Sequence, residues 1–131
     1  MNNTYIKQTK KYGRGVYAYH SFLEGELIES DELLALTSKD TYTLEQYTDL
    51  KWYTFKLSNT EDCLVLGNGE LFNHSDKPSV SYQLVKDVFA HNRLKMEFRA
   101  TRDIREGEQL FIDYSADTNI NPDDYKINLI K

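Results

Sequence analysis

Hydrophobic and polar residues alternate most regularly between residues 94 and 104. Successive side chains of a β-strand point to opposite faces, so a two-residue period predicts a strand with one apolar and one solvated face. The apolar positions are Leu94, Met96, Phe98 and Ala100, and the polar positions between them are Lys95, Glu97, Arg99 and Thr101. This run is the clearest strand in the sequence.

Shorter runs rich in β-branched and aromatic residues, separated by polar turns, occupy most of the remaining chain. Because such runs are typical of strands, we predict strands at residues 15–19, 33–37, 52–57, 63–67 and 80–85, and a Gly turn followed by a short strand within residues 23–29. One helix is predicted over residues 43–50, with Thr43 as its N-cap, and a short one near Pro122 in the tail. The expected fold class is mainly β with little helix, in a single domain spanning residues 1–131.

Two stretches of the chain echo each other, FLEGEL at residues 22–27 and IREGEQL at residues 104–110. In both, a glycine stands where a tight turn needs a positive φ. We predict a hairpin turn at each position. A single echo is not a repeat array.

Composition and charge exclude several classes of protein. With 131 residues, a formal net charge of −5 and one cysteine, Cys63, the chain has no intramolecular disulfide and no cysteine-rich zinc site. The negative net charge disfavours direct binding of nucleic acid, whose phosphates are also negative, and favours binding of a basic protein partner. The N-terminus lacks the apolar segment of a signal peptide, and no run is long enough to cross a membrane. The expectation is a soluble, cytoplasmic protein.

Metal and nucleophile chemistry find little support in the sequence. The three histidines, His20, His74 and His91, are far apart and belong to no metal-binding motif. Ser75 follows His74 directly, so the two side chains point to opposite faces of an extended chain. Cys63 lies in an apolar run, which favours a buried, inert thiol.

Three short motifs remain, and each is weak alone. Gly13 and Gly15 precede a strand rather than a helix, so they form either a simple turn or a close backbone approach to a ligand. Asn73 and His74 are polar residues at the end of an apolar run. Tyr114, after Asp113, either ends a strand or places its hydroxyl in a confined site.

The order and spacing of these motifs resemble the SET domain of protein lysine methyltransferases. The matching stretches are KKYGRGVYA at residues 10–18, LGNGELFNHSDKPS at 66–79 and EFRATRDIREGEQLFIDYS at 97–115. The resemblance implies a β-clip of small curved sheets with a C-terminal pseudoknot. It also implies S-adenosyl-L-methionine as cofactor, and methyl transfer to a lysine side chain of a protein substrate.

The resemblance also implies roles for individual residues. The cofactor-binding residues would be Tyr12, Gly13, Arg14, Gly15, Asn73, His74 and Tyr114. Tyr114 and Tyr53 would be the catalytic tyrosines that line the lysine channel. Since the Asn73 and His74 side chains point opposite ways, one should face the cofactor and the other should bond to the segment around Tyr114.

Some features depart from the family pattern. Glu70 stands where the family often has arginine, and Ser79 replaces the usual asparagine after proline. Without zinc-binding flanks, the chain resembles the minimal SET proteins of bacteria and large DNA viruses. Either Tyr125 of the tail or a second subunit of a homodimer would then close the lysine channel.

The substrate would be a histone, a histone-like protein or a ribosomal protein, and a nucleoid- or chromatin-associated substrate fits the acidic charge. Two other readings stay open. One is a catalytically inactive SET-like module that binds a protein partner. The other is a non-enzymatic β-clip domain of sugar-binding or antifreeze type.

Overall fold

The computed structural model describes residues 3–89, 91 and 93–115. Nine strands form two sheets. The strands are β1 (Thr4–Gln8), β2 (Arg14–Ala18), β3 (Leu27–Ala35), β4 (Thr54–Lys56), β5 (Asp62–Leu66), β6 (Asn73–His74), β7 (Val80–Asp87), β8 (Arg93–Ala100) and β9 (Gln109–Ile112). The smaller sheet has the order β1-β2-β9-β6 and the larger sheet β4-β5-β3-β8-β7. One helix, α1 (Ser38–Tyr47), and two 3₁₀ turns (Asp49–Tyr53 and Asn68–Leu71) complete the described part.

The alternating run became β8, with its apolar face in the core as predicted. Leu94, Met96, Phe98 and Ala100 are all buried. β8 pairs with β3 on one side and with β7 on the other. The strand ends at Ala100, earlier than predicted, because the chain turns away there and Ile104 forms an isolated bridge with Phe22 instead. The core shared by the two sheets also contains Val16, Ile28, Leu57, Val65, Phe72, Leu110 and Ile112.

Three predicted element boundaries were wrong. The Gly turn predicted within residues 23–29 is present, but the strand after it and the strand predicted at 33–37 are one strand, because β3 runs unbroken from Leu27 to Ala35. The helix begins at Ser38, where the Thr37 hydroxyl accepts a hydrogen bond from the Asp40 amide at 3.1 Å. Residues 52–57 begin as a 3₁₀ turn and become a strand only at Thr54. For the strands, tertiary contacts outweighed local propensity, whereas the helix start follows from the local N-cap at Thr37.

Thr43 is not a cap. Its hydroxyl donates to the Lys39 carbonyl at 2.9 Å, within the helix. The apolar face that suggested a helix over residues 43–50 does not enter the core either, since Tyr47 is 77% exposed and Leu50 47% exposed. The residue that α1 buries is Thr41, whose hydroxyl accepts a hydrogen bond from the Asp62 amide at 2.9 Å.

The two echoing stretches are turns related to each other in space. Gly25 and Gly107 have φ values of +85° and +87°, as predicted. Phe22 and Ile104 exchange backbone hydrogen bonds of 2.9 and 2.8 Å. The Gly25 amide donates to the Ala100 carbonyl at 2.8 Å, and the Gly107 amide donates to the Ala18 carbonyl at 2.9 Å. They are not hairpin turns, because each connects a strand of one sheet to a strand of the other. The two similar stretches therefore form the paired turns through which the chain passes between the two sheets.

Cys63 is fully buried, and burial raises the pKa of its thiol to about 12. Such a thiol is inert at neutral pH, as predicted. Among the described residues, no helix has the length and apolarity that crossing a membrane requires. The predicted helix near Pro122 lies outside the described residues.

Candidate functional site

A cavity of about 760 Å³ opens where the smaller sheet meets β4, the 3₁₀ turn Asp49–Tyr53 and the turn Asn68–Leu71. Five of the predicted site residues line it: Tyr12, Arg14, Tyr53, Asn73 and Tyr114. Gly13, Gly15 and His74 lie beside the cavity without lining it. Tyr125 lies outside the described residues. Residues from opposite ends of the sequence thus meet at one site.

Asn73 is held by the smaller sheet. β6 pairs in parallel with β9, with Asn73 opposite Phe111. The Asn73 Nδ2 donates to the Arg14 carbonyl at 3.0 Å and to Gln109 Oε1 at 2.9 Å. Within the described residues its Oδ1 has no hydrogen-bond partner, so an acceptor next to the cavity is left for a ligand.

His74 turns the other way, toward the segment that follows β9. Its Nδ1 accepts a hydrogen bond from the Tyr114 amide at 3.0 Å, and the two rings lie 5.1 Å apart. A ring nitrogen that accepts carries no proton, so the neutral ring carries its proton on Nε2. Asp113 Oδ1 lies 3.8 Å from the same His74 nitrogen, and it accepts hydrogen bonds from the Ser115 hydroxyl and amide at 2.6 and 2.9 Å, which lower the pKa of Asp113. The predicted contact between one of the two side chains and the segment around Tyr114 is therefore made by His74, whereas the role of Asn73 toward a cofactor stays a prediction.

The Tyr114 hydroxyl is anchored to the chain just before Asn73. It donates to the Phe72 carbonyl at 2.6 Å. Burial raises the pKa of Tyr114, and the neighbouring Tyr53 and Glu70 raise it further. Tyr114 is therefore a neutral phenol at physiological pH, with its proton committed to Phe72 and its oxygen lone pairs available as acceptors.

Gly15 has a packing reason to be glycine. A Cβ at this position would come within 2.6 Å of Gln109 Oε1 and 2.9 Å of Thr9 Cγ2. The Gln109 side chain fills this space, and it is the group that accepts from Asn73. Of the two explanations left open for the glycines, the simple turn fits Gly13, which has a φ of +73°, whereas the close neighbours of Gly15 are protein side chains and its approach to a ligand stays a prediction.

Sequence reasoning missed several residues of the cavity wall. Phe55 and Tyr82 form an edge-to-face pair with ring centroids 5.2 Å apart, and both line the cavity with Trp52. Gln109 was also missed, although it lies inside the EGEQLFIDY stretch. A polar residue at a position of β9 that faces Asn73 could have been recognised only with the strand pairing in hand.

Two acidic residues, the buried Asp31 and the half-buried Glu29, support the turn that leads into Asn73. The Gly69 amide donates to Glu29 Oε2 at 2.7 Å and to Asp31 Oδ2 at 3.1 Å. Burial raises the pKa of Asp31 to about 8, and its hydrogen bond to Glu29 contributes next. Asp31 therefore keeps its proton at neutral pH, and the two side chains fix the Asn68–Leu71 turn against β3.

Comparisons with known proteins agree with this geometry. Residues 13–115 match the SET domain family. The chain is 31% identical over 109 residues to a histone-lysine N-methyltransferase of Schizosaccharomyces pombe specific for lysine 37 of histone H3, covering 83% of this chain and 71% of the relative.

Solved structures share the same fold. A candidate histone methyltransferase of Plasmodium falciparum superposes with a TM-score of 0.71 at 24% identity, covering 89% of this chain and 96% of the other. CpSET8 of Cryptosporidium gives 0.70 at 25% identity, covering 89% and 59%. The Polycomb Repressive Complex 2 of Chaetomium thermophilum bound to S-adenosylmethionine gives 0.67 at 20% identity, covering 94% of this chain and 16% of the other. By the matched residues, the relative and the fold, the chain belongs to the SET-domain family.

Proposed function

We propose that this protein transfers a methyl group from S-adenosyl-L-methionine to a lysine side chain of a protein. One observation carries the proposal: the tyrosines Tyr53 and Tyr114 line the same cavity as Tyr12, Arg14 and Asn73. A group bound at the Arg14–Asn73 end would lie within the same enclosed space as an amine held at the tyrosine end. Proximity of this kind supplies much of the acceleration of a two-substrate reaction.

The residues at the first end suit the polar part of the cofactor. The Asn73 Oδ1 is an acceptor for its ammonium group, and the Arg14 guanidinium is a suitable partner for its carboxylate. Tyr12, packed edge-to-face on Phe111 with ring centroids 5.7 Å apart, offers an apolar wall. His74 would contribute through its backbone, since its ring bonds to Tyr114. When bound, the cofactor supplies an activated methyl group on a sulfonium.

The residues at the second end suit a lysine amine. Aromatic side chains of Tyr53, Phe55, Tyr82 and Tyr114 line it; Tyr53 and Tyr114 are 43% and 58% exposed, so a bound peptide would have to cover them before desolvation lowers the pKa of the entering ammonium. The Tyr114 oxygen, whose proton is donated to Phe72, is placed to accept hydrogen bonds from the amine and weak C–H···O bonds from the methyl group. Tyr114 therefore orients the nucleophile.

A basic protein tail is the proposed substrate class. The chain carries a formal net charge of −5, which favours association with cationic segments such as histone tails. The similarity to a histone H3 methyltransferase supports a chromatin-associated substrate. Closure of the channel by Tyr125 or by the second subunit of a homodimer stays a prediction, and sedimentation showing only monomer would remove the dimer version.

Calorimetry with S-adenosyl-L-methionine tests the cofactor assignment. Wild type should bind, and Asn73→Ala should bind at least tenfold more weakly. Asn68→Ala is the matched control, because Asn68 lies on the same segment but bonds to Thr4 Oγ1 at 2.9 Å outside the cavity lining. Thermal midpoints of both variants show that they fold.

Incubation of wild type with methyl-labelled cofactor and a histone mixture, followed by mass spectrometry, should place label on lysine. A wild type that gives no heat of cofactor binding would refute the proposal. A wild type that binds cofactor but labels neither histones nor lysate proteins would favour the inactive binding module instead.

A further inference from the structure

The rim of the cavity carries a large, exposed aromatic side chain. The chain has one tryptophan, Trp52, which lies in the 3₁₀ turn Asp49–Tyr53. Trp52 lines the cavity and is nevertheless 73% exposed. A residue that both lines a cavity and faces solvent lies at its opening. Trp52 therefore stands at the entrance to the cavity, directly before Tyr53 in the chain.

The Trp52 side chain is available for a ligand. The structure shows the Lys51 ammonium 5.0 Å from the centroid of its ring. Among the described residues, the indole N–H has no hydrogen-bond acceptor. A tryptophan with an apolar body and an unused polar tip is typical of the anchors of binding surfaces. Trp52 thus has the properties of a contact residue rather than of a core residue.

The tyrosines next to Trp52 need a cover during the proposed reaction. Tyr53 and Tyr114 are 43% and 58% exposed, so an amine between them keeps its water until the segment that carries it lies across both rings. Trp52 and Tyr53 are neighbours in one turn and line the same cavity. A peptide that covers Tyr53 therefore also reaches Trp52, which makes the substrate segment the occupant of this surface.

The charges around Trp52 select the chemistry of that segment. Lys51 and Lys56 line the cavity on the same stretch of chain as Trp52, and Lys51 lies against its ring. The acid of the lining, Glu70, turns its carboxyl group into the protein, since Oε1 accepts from the Val65 amide and Oε2 is buried. A second cation at the Trp52 ring would be repelled by Lys51. An apolar side chain would instead bury its surface against the ring without that cost.

We propose that Trp52 anchors the substrate by binding an apolar side chain directly beside the target lysine, an inference that rests on the proposed methyl transfer. The apolar side chain packs on the part of the indole ring that Lys51 leaves open, and the indole N–H donates to a carbonyl of the substrate backbone. The negative net charge of the protein attracts a basic tail over longer distances. The short-range contact with Trp52 then decides which lysine of that tail enters the cavity.

Tryptophan fluorescence reports on this contact directly, because Trp52 is the one tryptophan of the chain. Two short synthetic peptides without aromatic residues serve as probes. They differ only in the residues on either side of a single lysine, which are leucine in one peptide and arginine in the other. In the presence of S-adenosyl-L-methionine, the leucine peptide should shift the emission of wild type to shorter wavelengths and bind about tenfold more tightly than the arginine peptide.

Steady-state kinetics separate an anchor from a structural residue. Trp52→Ala should raise the KM for the leucine peptide by about tenfold or more and keep kcat within about threefold, since Tyr53 and Tyr114 are retained. Trp52→Phe should recover most of the loss in KM. A residue that only holds the 3₁₀ turn would lower kcat instead, because Tyr53 belongs to the same turn. Tyr47→Ala is the matched control and should keep the wild-type KM, because Tyr47 is 77% exposed but lies outside the cavity lining.

A Trp52→Ala variant with the wild-type KM, or with a lowered kcat at an unchanged KM, would overturn the assignment while leaving the methyltransferase proposal intact. So would a leucine peptide that binds no more tightly than the arginine peptide, or that binds without changing the emission of Trp52. A wild type that binds no cofactor would instead refute the methyltransferase itself.

Discussion

Replacement of Asp31 by asparagine should stabilise the protein as the pH rises, although it removes a buried acidic group. Asp31 is 7% exposed, and burial followed by its bond to Glu29 raises its pKa from 3.8 to about 8. Between these two pH values the folded protein holds a proton that the unfolded chain has released. The free energy of unfolding therefore carries a contribution that is fully present below about pH 4 and is lost as the pH rises toward 8.

The size of the effect follows from the same numbers. At 1.36 kcal/mol per pH unit, the interval from 3.8 to 8 corresponds to about 5–6 kcal/mol. This is an upper limit, because relaxation of the fold and penetration of water around the carboxyl group reduce the effect. We expect a difference of about 1–3 kcal/mol between Asp31→Asn and wild type at pH 8, and almost none at pH 4.5. Asparagine can still accept from the Gly69 amide and donate to Glu29.

Urea unfolding followed by circular dichroism between pH 4.5 and 8.5 measures the free energy of unfolding of both proteins. The wild-type values should fall more steeply with pH than those of Asp31→Asn. Asp76→Asn, an exposed carboxyl, should follow the wild-type curve. If the Asp31→Asn curve ran parallel to wild type, or lay below it at pH 8, the description of Asp31 as a carboxyl group that stays protonated in the folded protein would be wrong.

Three other substitutions test the site and the fold. Tyr114→Phe should leave cofactor affinity within about threefold of wild type and lower kcat by about 10²-fold. An unchanged rate constant in single-turnover assays would mean that another tyrosine orients the amine. Gly15→Ala should destabilise the protein by about 1–3 kcal/mol, because its Cβ would displace Gln109, and equal thermal midpoints would contradict this packing. Thr37→Ala should cost about 1 kcal/mol through loss of the N-cap, whereas Thr43→Ala should cost clearly less in the same thermal scan.

The sequence alone carried much of the functional prediction because the relevant residues lie in short, ordered motifs. The GRG turn, Asn73–His74 and the Asp113–Tyr114 end were recognised without coordinates, and the SET-domain family is now established from the matching residues 13–115. Restriction of the chain to the minimal bacterial or viral type stays a prediction, as do the roles of the individual residues toward cofactor and substrate.

Local patterns served less well for the element boundaries. The helix over residues 43–50 was predicted from an apolar spacing, yet that face is exposed and the true start at Ser38 depends on Thr37. The polar residues Glu29 and Asp31 concealed the single long strand β3. Their burial beneath Gly69 could not be anticipated from their spacing, because it depends on a turn about 40 positions away in the chain.

The sequence by itself determined the features that depend on a short repeat of residues or on the backbone geometry of a single residue. The alternation of residues 94–100 specified a strand with one buried face, and Gly25 and Gly107 specified turns with positive φ. Only the tertiary structure decided which distant segments meet. β6 and β9 pair in parallel, which brings His74 to Tyr114 and Asn73 to Gln109. The same assembly buries Glu70 Oε2, because burial and pKa depend on every group packed around a side chain and not on its neighbours in sequence.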